Sequence, residues 1–445
     1  MKTESVRRAE LWLEGVFKAL FFVYVGLGSC NLTYGKPVIS WVMIAAFLTG
    51  GAALVTRVIG FRRYRSMPLL LFAGLMWLSL GLSAAANYPY FTRRMAVFLI
   101  LWAFYFFLLY AQPGDRAGED LLRRFRRLSL AHLLWTTALA AVSVVMLALR
   151  YESHYRDPQN GMYEVASGFF SGRLWGVFQD PNLGAVMCAA ALAAAVYWYL
   201  RSGRRLVRGL LIADGVLLAF YMAMSDSRNG MVCLGCLGAL AAVWFLKDRD
   251  RRTPAWQAAL LVLGAFLAGP LLLKLIQWLY GALAGFTVDR GYDMKGDVSN
   301  RRLALWLSGF EMFRTRPLTG VSFPAVVAYA REHLPGSYIV TNDLWEFNTF
   351  DSEPINILVA QGLPGILVLL GWGLGAVRAY VRGSRTAAAG RRRELRLLTA
   401  VCAVLAVSAL FQGTMFYQTS PNTYLFWCAF GTLLCLLRAE ERTAI

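Results

Sequence analysis

The sequence predicts an all-α protein, a polytopic bundle of about twelve transmembrane helices that forms a single integral membrane domain over residues 1–445. Of its 445 residues 58% are apolar and only 16% are charged, against about 45–50% and about 25% in an average soluble domain. The apolar residues come in long runs, each close to the ~20 residues that a helix needs to cross ~30 Å of hydrocarbon. This composition excludes a soluble multidomain protein, a disulfide-rich secreted protein and, despite the net charge of +19, a nucleic-acid binder.

The predicted spans follow one another along the chain and are interrupted by two long loops, over 150–181 and 281–353. The second loop contains a helix signal, because Asn300 is a candidate N-cap for an apolar but short segment over 301–313. We expect that segment to lie flat on the membrane surface or to pack over the bundle. The predicted spans are 13–30, 38–59, 68–86, 95–111, 128–149, 182–200, 206–224, 229–246, 255–280, 354–377, 397–413 and 420–437.

The distribution of Lys and Arg predicts the orientation of the chain. With an even number of spans both termini lie on one side, and the loops of that side hold 29 of the 45 Lys and Arg residues, whereas the other side holds 14. Because cytoplasmic loops accumulate Lys and Arg, both termini are predicted to be cytoplasmic. The basic residues on the other side break this rule, and they are therefore the candidate functional residues.

The first motif on the predicted outer side is S-G-R-L-W-G-V-F-Q-D-P-N at 171–182. Pro181 suits the first turn of a helix and Asp180 suits its N-cap, so Arg173 is expected just above a helix start. An exposed helix N-terminus beside an Arg is a favourable anion site. Asn182 is a candidate for acceptor binding or support. The alternative is a structural pair between Arg173 and Asp180.

The second motif is S-D-S-R-N-G at 225–230, in a short loop between two spans. Arg228 must lie near the membrane surface or inside the bundle, where a charge is costly and usually functional or paired. Arg228 is therefore a candidate functional residue, and Asp226 is a candidate for acceptor binding or support. The alternative is that Asp226 is simply the structural partner of Arg228.

The third motif is N-R-R-L-A-L-W at 300–306, followed by R-P-L-T-G-V at 316–321. An Arg pair at a helix start opposes the helix dipole, which favours anions there, so Arg301 and Arg302 are candidates for binding an anion. The alternative is contact with lipid headgroups. Trp306 is a third candidate for acceptor binding or support.

The fourth motif, N-T-F-D-S-E-P-I-N at 348–356, places two carboxylates at the start of a span. Arginines suit a pyrophosphate, and a carboxylate suits a general base for a sugar hydroxyl, so Asp351 and Glu353 are the candidate catalytic residues. The alternative is a structural helix start, with Pro354 in the first turn and Glu353 as cap. The three His are scattered, and the sequence predicts neither a metal site nor any cofactor.

Together these motifs resemble the O-antigen ligase / O-antigen polymerase family of bacterial integral membrane, GT-C-like glycosyltransferases. The resemblance covers residues 170–375 through S-G-R-L-W-G-V-F-Q-D-P-N-L-G, S-D-S-R-N-G, R-L-A-L-W with R-P-L-T-G-V, and N-I-L-V-A-Q-G-L-P-G-I-L. It implies a metal-independent enzyme of the bacterial inner membrane whose extracytoplasmic site transfers glycan from an undecaprenyl-pyrophosphate-linked oligosaccharide to a glycan acceptor, in contact with membrane lipid. By motif position Arg173 and Arg228 look like pyrophosphate binders, and Arg302 matches the R-x-x-x-W arginine of the large loop.

One departure from the family pattern bears on the type of transfer. Many members, above all the lipid A-core ligases, carry a His-Asn pair eleven and ten residues before the late glycine, whereas counting back from Gly362 gives Asp351-Ser352. This favours an inverting polymerase of a cell-surface polysaccharide over a ligase that transfers glycan to lipid A-core or protein. A transporter or flippase of the same lipid is a third hypothesis, supported only by Asp214 and Lys274 inside predicted spans.

Overall fold

The computed structural model describes residues 2–114, 118–157, 160–249, 253–285, 287–288, 299, 301–342, 349–386 and 389–443. Within these residues the chain forms fifteen α-helices and one small β-sheet, so the predicted all-α polytopic bundle is confirmed. The helices are α1 (Lys2–Gly28), α2 (Pro37–Ile59), α3 (Leu70–Ala86), α4 (Arg93–Phe104), α5 (Gly118–Ala148), α6 (Pro181–Arg201), α7 (Arg205–Ser225), α8 (Arg228–Lys247), α9 (Ala255–Ala284), α10 (Arg302–Thr315), α11 (Val326–His333), α12 (Tyr338–Thr341), α13 (Glu353–Thr386), α14 (Arg392–Ser408) and α15 (Pro421–Thr443). The strands are β1 (Glu152–Asp157), β2 (Asn160–Phe170) and β3 (Arg173–Gly176).

Each of the twelve predicted spans coincides with a helix. In the described part of the chain, nine helices are long and apolar enough to cross a membrane, namely α1, α2, α4 together with the π-helical turns that follow it, α5, α6, α7, α8, α9 and α13. The chain is therefore a multi-pass membrane protein. The predicted span over 397–413 is too long, because α14 ends at Ser408 and the chain then turns to enclose the carboxylate of Glu353.

Contacts between helix ends define two faces of the bundle. We call the end where α1 begins the N-terminal face; there Arg63 Nη1 of the α2–α3 turn lies 2.5 Å from Glu10 Oε2 of α1. The opposite face carries the end of α1 and the starts of α6, α8 and α13. On this face the Gln179 N–H, just before α6, donates to the Ser29 carbonyl just after α1 (2.9 Å).

The loop over 150–181 contains the β-sheet, which the sequence did not predict. Its strands are antiparallel in the order β1-β2-β3. The Asn31 amide, in the turn after α1, donates to Ala166 O (2.5 Å) and Phe178 O (3.0 Å). These bonds hold the sheet on the opposite face, where the start of β3 lies beside the start of α6 and the end of α7.

The loop over 281–353 contributes α10, α11 and α12, which form a second, smaller apolar core with the start of α13. Packing is close at Gly309, where an added Cβ would lie 2.9 Å from Ile355 Cγ2 and 3.2 Å from the Phe350 ring. The predicted helix over 301–313 therefore packs over the bundle at the start of α13, and its position at the membrane surface stays a prediction. The proposed cap Asn300 lies outside the described residues; the residue directly before α10 is Arg301, with a left-handed φ of 67°.

Helix α13 is broken at Gly362, which has φ 67° and ψ −160°, and Pro364 lacks the N–H that would bond back into the helix. The segment around Gly320 fills this break by pairing with it. The φ of Gly320 is 65°, and a Cβ added to Gly320 would lie 2.4 Å from the Ala360 carbonyl carbon, so only glycine fits at this position. The replacement hydrogen bonds are Val321 N to Val359 O (2.9 Å), Ser322 N to Ala360 O (3.1 Å) and Leu363 N to Pro317 O (2.8 Å).

This pairing joins the R-P-L-T-G-V segment to the Q-G-L-P-G segment, two motifs that are about forty residues apart in the sequence. The Asn87 amide at the end of α3 donates to the Gly320 carbonyl (3.0 Å) and holds the inserted segment in place. Because α10 directly precedes the inserted segment, the pairing sets the position of α10 against the start of α13.

Candidate active site

Arg173, Asn182 and the start of α8 meet on the opposite face. The Arg173 guanidinium donates through Nε to Ser225 O (2.8 Å) and through Nη2 to Asn182 Oδ1 (3.1 Å). The same Asn182 oxygen accepts a hydrogen bond from Ser227 Oγ (2.9 Å). Asn182 thus joins the first and second motifs, and it brings Arg173 next to the loop that ends in Arg228.

Both helix starts at this junction are capped by a side chain, and the cap of α6 is the one that the sequence predicts. The Asp180 carboxylate accepts from Asn182 N (2.5 Å) and Leu183 N (3.0 Å), and Pro181 occupies the first turn of α6. At α8 the cap is the Ser227 hydroxyl, which accepts from Gly230 N (3.1 Å). The positive ends of two helix dipoles therefore lie beside the Arg173–Asn182 contact.

Asp226 has a different role from its neighbours. Its backbone is left-handed, with φ 48°, and it ends α7. The carboxylate oxygen Oδ1 accepts from Lys274 Nζ (2.8 Å) and from Gln277 Nε2 (2.9 Å), both on α9. Asp226 thereby connects the second motif to α9 and supplies the partner of Lys274, a charge that the sequence places inside a span.

Asp351 lies beside Arg302 at the junction of α10 and α13. The Arg302 Nε is 4.0 Å from Asp351 Oδ2, and the two side chains are 21% and 33% exposed. Asp351 is left-handed, with φ 51°. The residue before it is fixed on both sides, because the Trp306 indole N–H donates to Phe350 O (3.0 Å) and the Asn356 side-chain oxygen accepts from Phe350 N (2.9 Å).

The surroundings of Asp351 raise the pKa of its carboxyl to about 6. Burial is the main cause, since removing water penalises the charged form; the positive charge of Arg302 opposes this effect and the negative charge of Asp180 adds to it. A carboxyl with a pKa near neutrality suits proton transfer at physiological pH.

Glu353, the second predicted catalytic residue, is 1% exposed. Its Oε1 accepts three backbone N–H groups of the chain between α14 and α15, those of Met415 (2.8 Å), Phe416 (2.7 Å) and Tyr417 (3.4 Å). Its own N–H donates to Ala409 O (2.8 Å). Glu353 thus holds the α14–α15 connection against the start of α13.

The connection after α14 also contacts the start of α8. The Asn229 amide donates to Ser408 Oγ (3.0 Å) and Gln412 Oε1 (3.3 Å). Sequence reasoning missed Asn229, Gln412 and Asn356, since each is a single buried amide and only the fold brings them to this face. It also considered Asp180 only as a cap or as a partner of Arg173, and did not foresee its effect on the pKa of Asp351.

The structure brings together Arg173, Asn182 and the start of α8 as one group, and Arg302, Trp306 and Asp351 as a second. Arg228 and Arg301 are the residues at the starts of α8 and α10, at the edges of these two groups. Within the described ranges, no three His, Cys, Asp or Glu side chains form a group that could hold a metal ion.

These features define a polytopic membrane protein with arginines, two helix N-termini and a carboxyl of raised pKa gathered at one end of its bundle. The sequence model of the O-antigen ligase family matches residues 213–370, which include Arg228, Arg302, Asp351 and Gly362. Residues 213–370 are therefore similar to this family, and the resemblance drawn from the motifs is confirmed. No curated protein matches the chain. The family match supports an enzyme of the glycosyltransferase type that uses a lipid-linked glycan and an acceptor at the membrane.

Proposed function

We propose that this protein transfers a glycan from an undecaprenyl-pyrophosphate-linked donor to a sugar hydroxyl, at the opposite face of the bundle, and that this face is extracytoplasmic. One observation carries the proposal: the starts of α8 and α13 both bind the chain at the end of α14, Asn229 through Ser408 Oγ (3.0 Å) and Glu353 through Ala409 O (2.8 Å). The Arg173–Asn182 group and the Arg302–Asp351 pair therefore lie at adjoining helix starts. A base for the acceptor and cations for the leaving group therefore occupy one site.

The donor pyrophosphate is bound by Arg173 and Arg228, with Arg301 and Arg302 on the other side of the site. Guanidinium groups bind phosphate oxygens in a bidentate manner, and helix N-termini add a favourable field for an anion. Arg173 is pre-oriented by Ser225 O and Asn182. These contacts hold its guanidinium in place before the donor arrives, which lowers the entropy cost of binding.

Asp351 is the proposed general base. The acceptor hydroxyl oxygen attacks the anomeric carbon, its proton passes to the Asp351 carboxylate, and the bond between the anomeric carbon and the pyrophosphate oxygen breaks. The electron pair leaves with undecaprenyl pyrophosphate, whose charge the arginines stabilise. A single displacement of this kind inverts the anomeric configuration. Glu353 is the weaker candidate, because three backbone N–H groups already occupy its Oε1.

Polymerisation of a cell-surface polysaccharide is the first assignment, and ligation to lipid A-core or to protein is the second. Asp351-Ser352 stands where the lipid A-core ligases carry His-Asn, which favours the polymerase. The transporter hypothesis loses its support, because Lys274 binds Asp226 (2.8 Å) and Asp214 accepts from the Thr137 hydroxyl (2.6 Å). Lys274 and Asp214, the two charges that supported this hypothesis, therefore both have structural partners.

The decisive experiment supplies purified protein with undecaprenyl-pyrophosphate-linked oligosaccharide as the sole glycan. A ladder of longer lipid-linked chains is the result expected of a polymerase. Product that forms only after lipid A-core or an acceptor protein is added would identify a ligase. If the donor moves across a vesicle membrane while no glycosidic bond forms, the enzyme proposal is wrong.

The proposed orientation is tested with two matched cysteine substitutions. Gly336 follows α11 and Gly203 precedes α7; both are exposed, and an added Cβ at either would meet no atom within 4 Å. In intact spheroplasts an impermeant maleimide should label Gly336→Cys and should label Gly203→Cys only after lysis. The reverse pattern would place the site in the cytoplasm.

A further inference from the structure

A groove opens between α1 and α5 at the N-terminal face, at the other end of the bundle from the candidate active site. Its volume is about 530 Å³. Trp12, Gly15 and Val16 line the side formed by α1, and Arg123 and Arg127 belong to the side formed by α5. The groove therefore combines a largely apolar wall with a basic wall.

The groove exists because α1 and α5 are in contact near the end of α1 and diverge towards the N-terminal face. They are close where the Trp135 indole lies 3.4 Å from a Cβ built on Gly26. Gly15 is about 16 Å from Gly26 along α1, and Arg127 is about 12 Å from Trp135 along α5, at about 1.5 Å per residue. A Cβ added at Gly15 would meet no heavy atom within 4 Å, so the space beside it is open.

The arginines at the start of α5 fall on two sides of the helix. Arg126 points into the bundle, where its Nη2 lies 2.8 Å from Glu394 Oε1. Arg123 and Arg127, one turn apart, are exposed on the groove side. Among the described residues, neither has a hydrogen bond or ion pair to another side chain. Their charges are therefore available to a ligand in the groove.

The level of the groove indicates what fills it. Trp12, Gly15 and Ala19 recur along one exposed side of α1, within its membrane-spanning part (Arg8–Gly28). Their exposed surface, which includes 66% of Trp12, faces acyl chains in a bilayer. A Trp near the end of a span is typical of the level of the lipid headgroups, where basic side chains meet lipid phosphate.

We propose that this groove is a binding site for an anionic phospholipid. The headgroup phosphate lies between Arg123 and Arg127, and one acyl chain follows the α1 wall past Trp12. Arg124 is also in the lining, but it is paired with Asp120 (3.1 Å), so the lining keeps a net positive charge. The site lies at the end of the bundle away from the reaction, and it does not depend on the proposed function.

The test uses the purified, delipidated protein in neutral detergent and measures its thermal unfolding against added phosphatidylglycerol. Phosphatidylglycerol should raise the unfolding temperature more than phosphatidylcholine does. The double variant Arg123→Gln/Arg127→Gln should weaken the apparent affinity roughly tenfold or more. Gly15→Leu fills the groove without changing its charge and should weaken the affinity in the same way.

Two controls separate this site from a general attraction to the basic face. The pair Arg204→Gln/Arg205→Gln removes the same charge from exposed positions between α6 and α7, and Gly28→Leu adds a side chain to open space at the other end of α1. Both should behave like the wild type. The proposal is overturned if the Arg204/Arg205 variant loses as much affinity for phosphatidylglycerol as the Arg123/Arg127 variant, or if the Arg123/Arg127 variant keeps full affinity. It is also overturned if inorganic phosphate raises the unfolding temperature as much as phosphatidylglycerol does. If Gly15→Leu does not fold, the two arginine pairs remain decisive.

Discussion

The two ends of the bundle hold their charges in different ways. At the N-terminal face Arg57 is 5% exposed, its Nη2 lies 3.2 Å from Glu14 Oε2, and its Nη1 donates to Phe107 O (2.6 Å). Glu14 is 1% exposed. At the opposite face Arg302 Nε and Asp351 Oδ2 are 4.0 Å apart, and 21% and 33% of the two side chains are exposed. The Arg57–Glu14 pair is therefore close and buried, whereas the Arg302–Asp351 pair is more widely spaced and partly exposed to solvent.

This difference distinguishes an ion pair that stabilises the fold from an ion pair that can take part in the reaction. A fully buried ion pair is tolerated only when close contacts compensate the loss of hydration, and such a pair makes its surroundings rigid. A loose pair at a helix junction leaves each charge able to interact with a ligand. We therefore interpret the Arg57–Glu14 pair as part of the fold and the Arg302–Asp351 pair as part of the reaction. The predictions below test that division.

The largest expected effect is on catalysis at Asp351. Asp351→Asn keeps the shape of the side chain but removes its basicity, so transfer should fall about 10²–10⁴-fold, the usual contribution of a general base. Because the side chain is partly exposed, the unfolding temperature should change little. The measurement pairs single-turnover transfer with thermal unfolding in detergent.

Glu353→Gln is the matched comparison and should show the reverse pattern. Glu353 holds three backbone N–H groups, so weakening those bonds should lower the free energy of unfolding by about 1–3 kcal/mol. The folded fraction should retain most of its activity. If Glu353→Gln folds normally and is inactive while Asp351→Asn works, the two roles are exchanged.

The second effect concerns stability at the N-terminal face. Arg57→Met removes one partner of a buried pair and should lower the free energy of unfolding by about 3–5 kcal/mol. Arg204→Met, at an exposed position, is the control and should be nearly silent. The double variant Arg57→Met/Glu14→Gln should recover part of the loss, since it also removes the buried Glu14 charge, which in Arg57→Met keeps Lys18 (2.6 Å) but loses Arg57 (3.2 Å). An Arg57→Met protein that unfolds like the wild type would remove the distinction between the two ends.

The sequence predicted the bundle because its signal is local: each span is one apolar run, and each of the twelve runs is a helix. It also located the N-cap Asp180 and the first-turn residue Pro181, whose roles depend only on adjacent residues. What it missed depends on distant contacts. The pairing of Lys274 with Asp226 and the three bonds of Glu353 to 415–417 join elements that the chain separates by 48 and about 62 residues.

The β-sheet was missed for another reason. Its strands lie in a loop between two spans, and the apolar signal that reveals a span carries no information about a polar hairpin. The break in α13 was missed as well, because the predicted span over 354–377 runs through Gly362 and Pro364. Only the fold shows that the segment containing Gly320 supplies the missing hydrogen bonds.

The third effect separates charge from geometry at the donor site. Arg173→Lys and Arg228→Lys keep the positive charge but lose the bidentate contact with phosphate, so each should lower transfer about tenfold at limiting donor. Arg→Ala should be worse at both positions. Arg331→Ala, exposed on α11, is the control and should be nearly silent. Full activity of Arg228→Lys would move the pyrophosphate site to Arg301 and Arg302.

The smallest expected effect is the dependence of the rate on pH, which directly tests the role of the Arg302–Asp351 pair. The base acts in its ionised form, and the pKa of Asp351 is raised to about 6. The ratio kcat/KM, which reports the free enzyme, should therefore be constant above about pH 7, fall to about half near pH 6 and to about a tenth near pH 5. The positive charge of Arg302 lowers this pKa, so Arg302→Gln should move the midpoint to higher pH. Arg57→Gln, at the buried pair, would instead lower the stability and leave the midpoint of the pH profile unchanged. A profile that is flat between pH 5 and 7.5, or an Arg302→Gln midpoint equal to that of the wild type, would show that Asp351 does not take the proton.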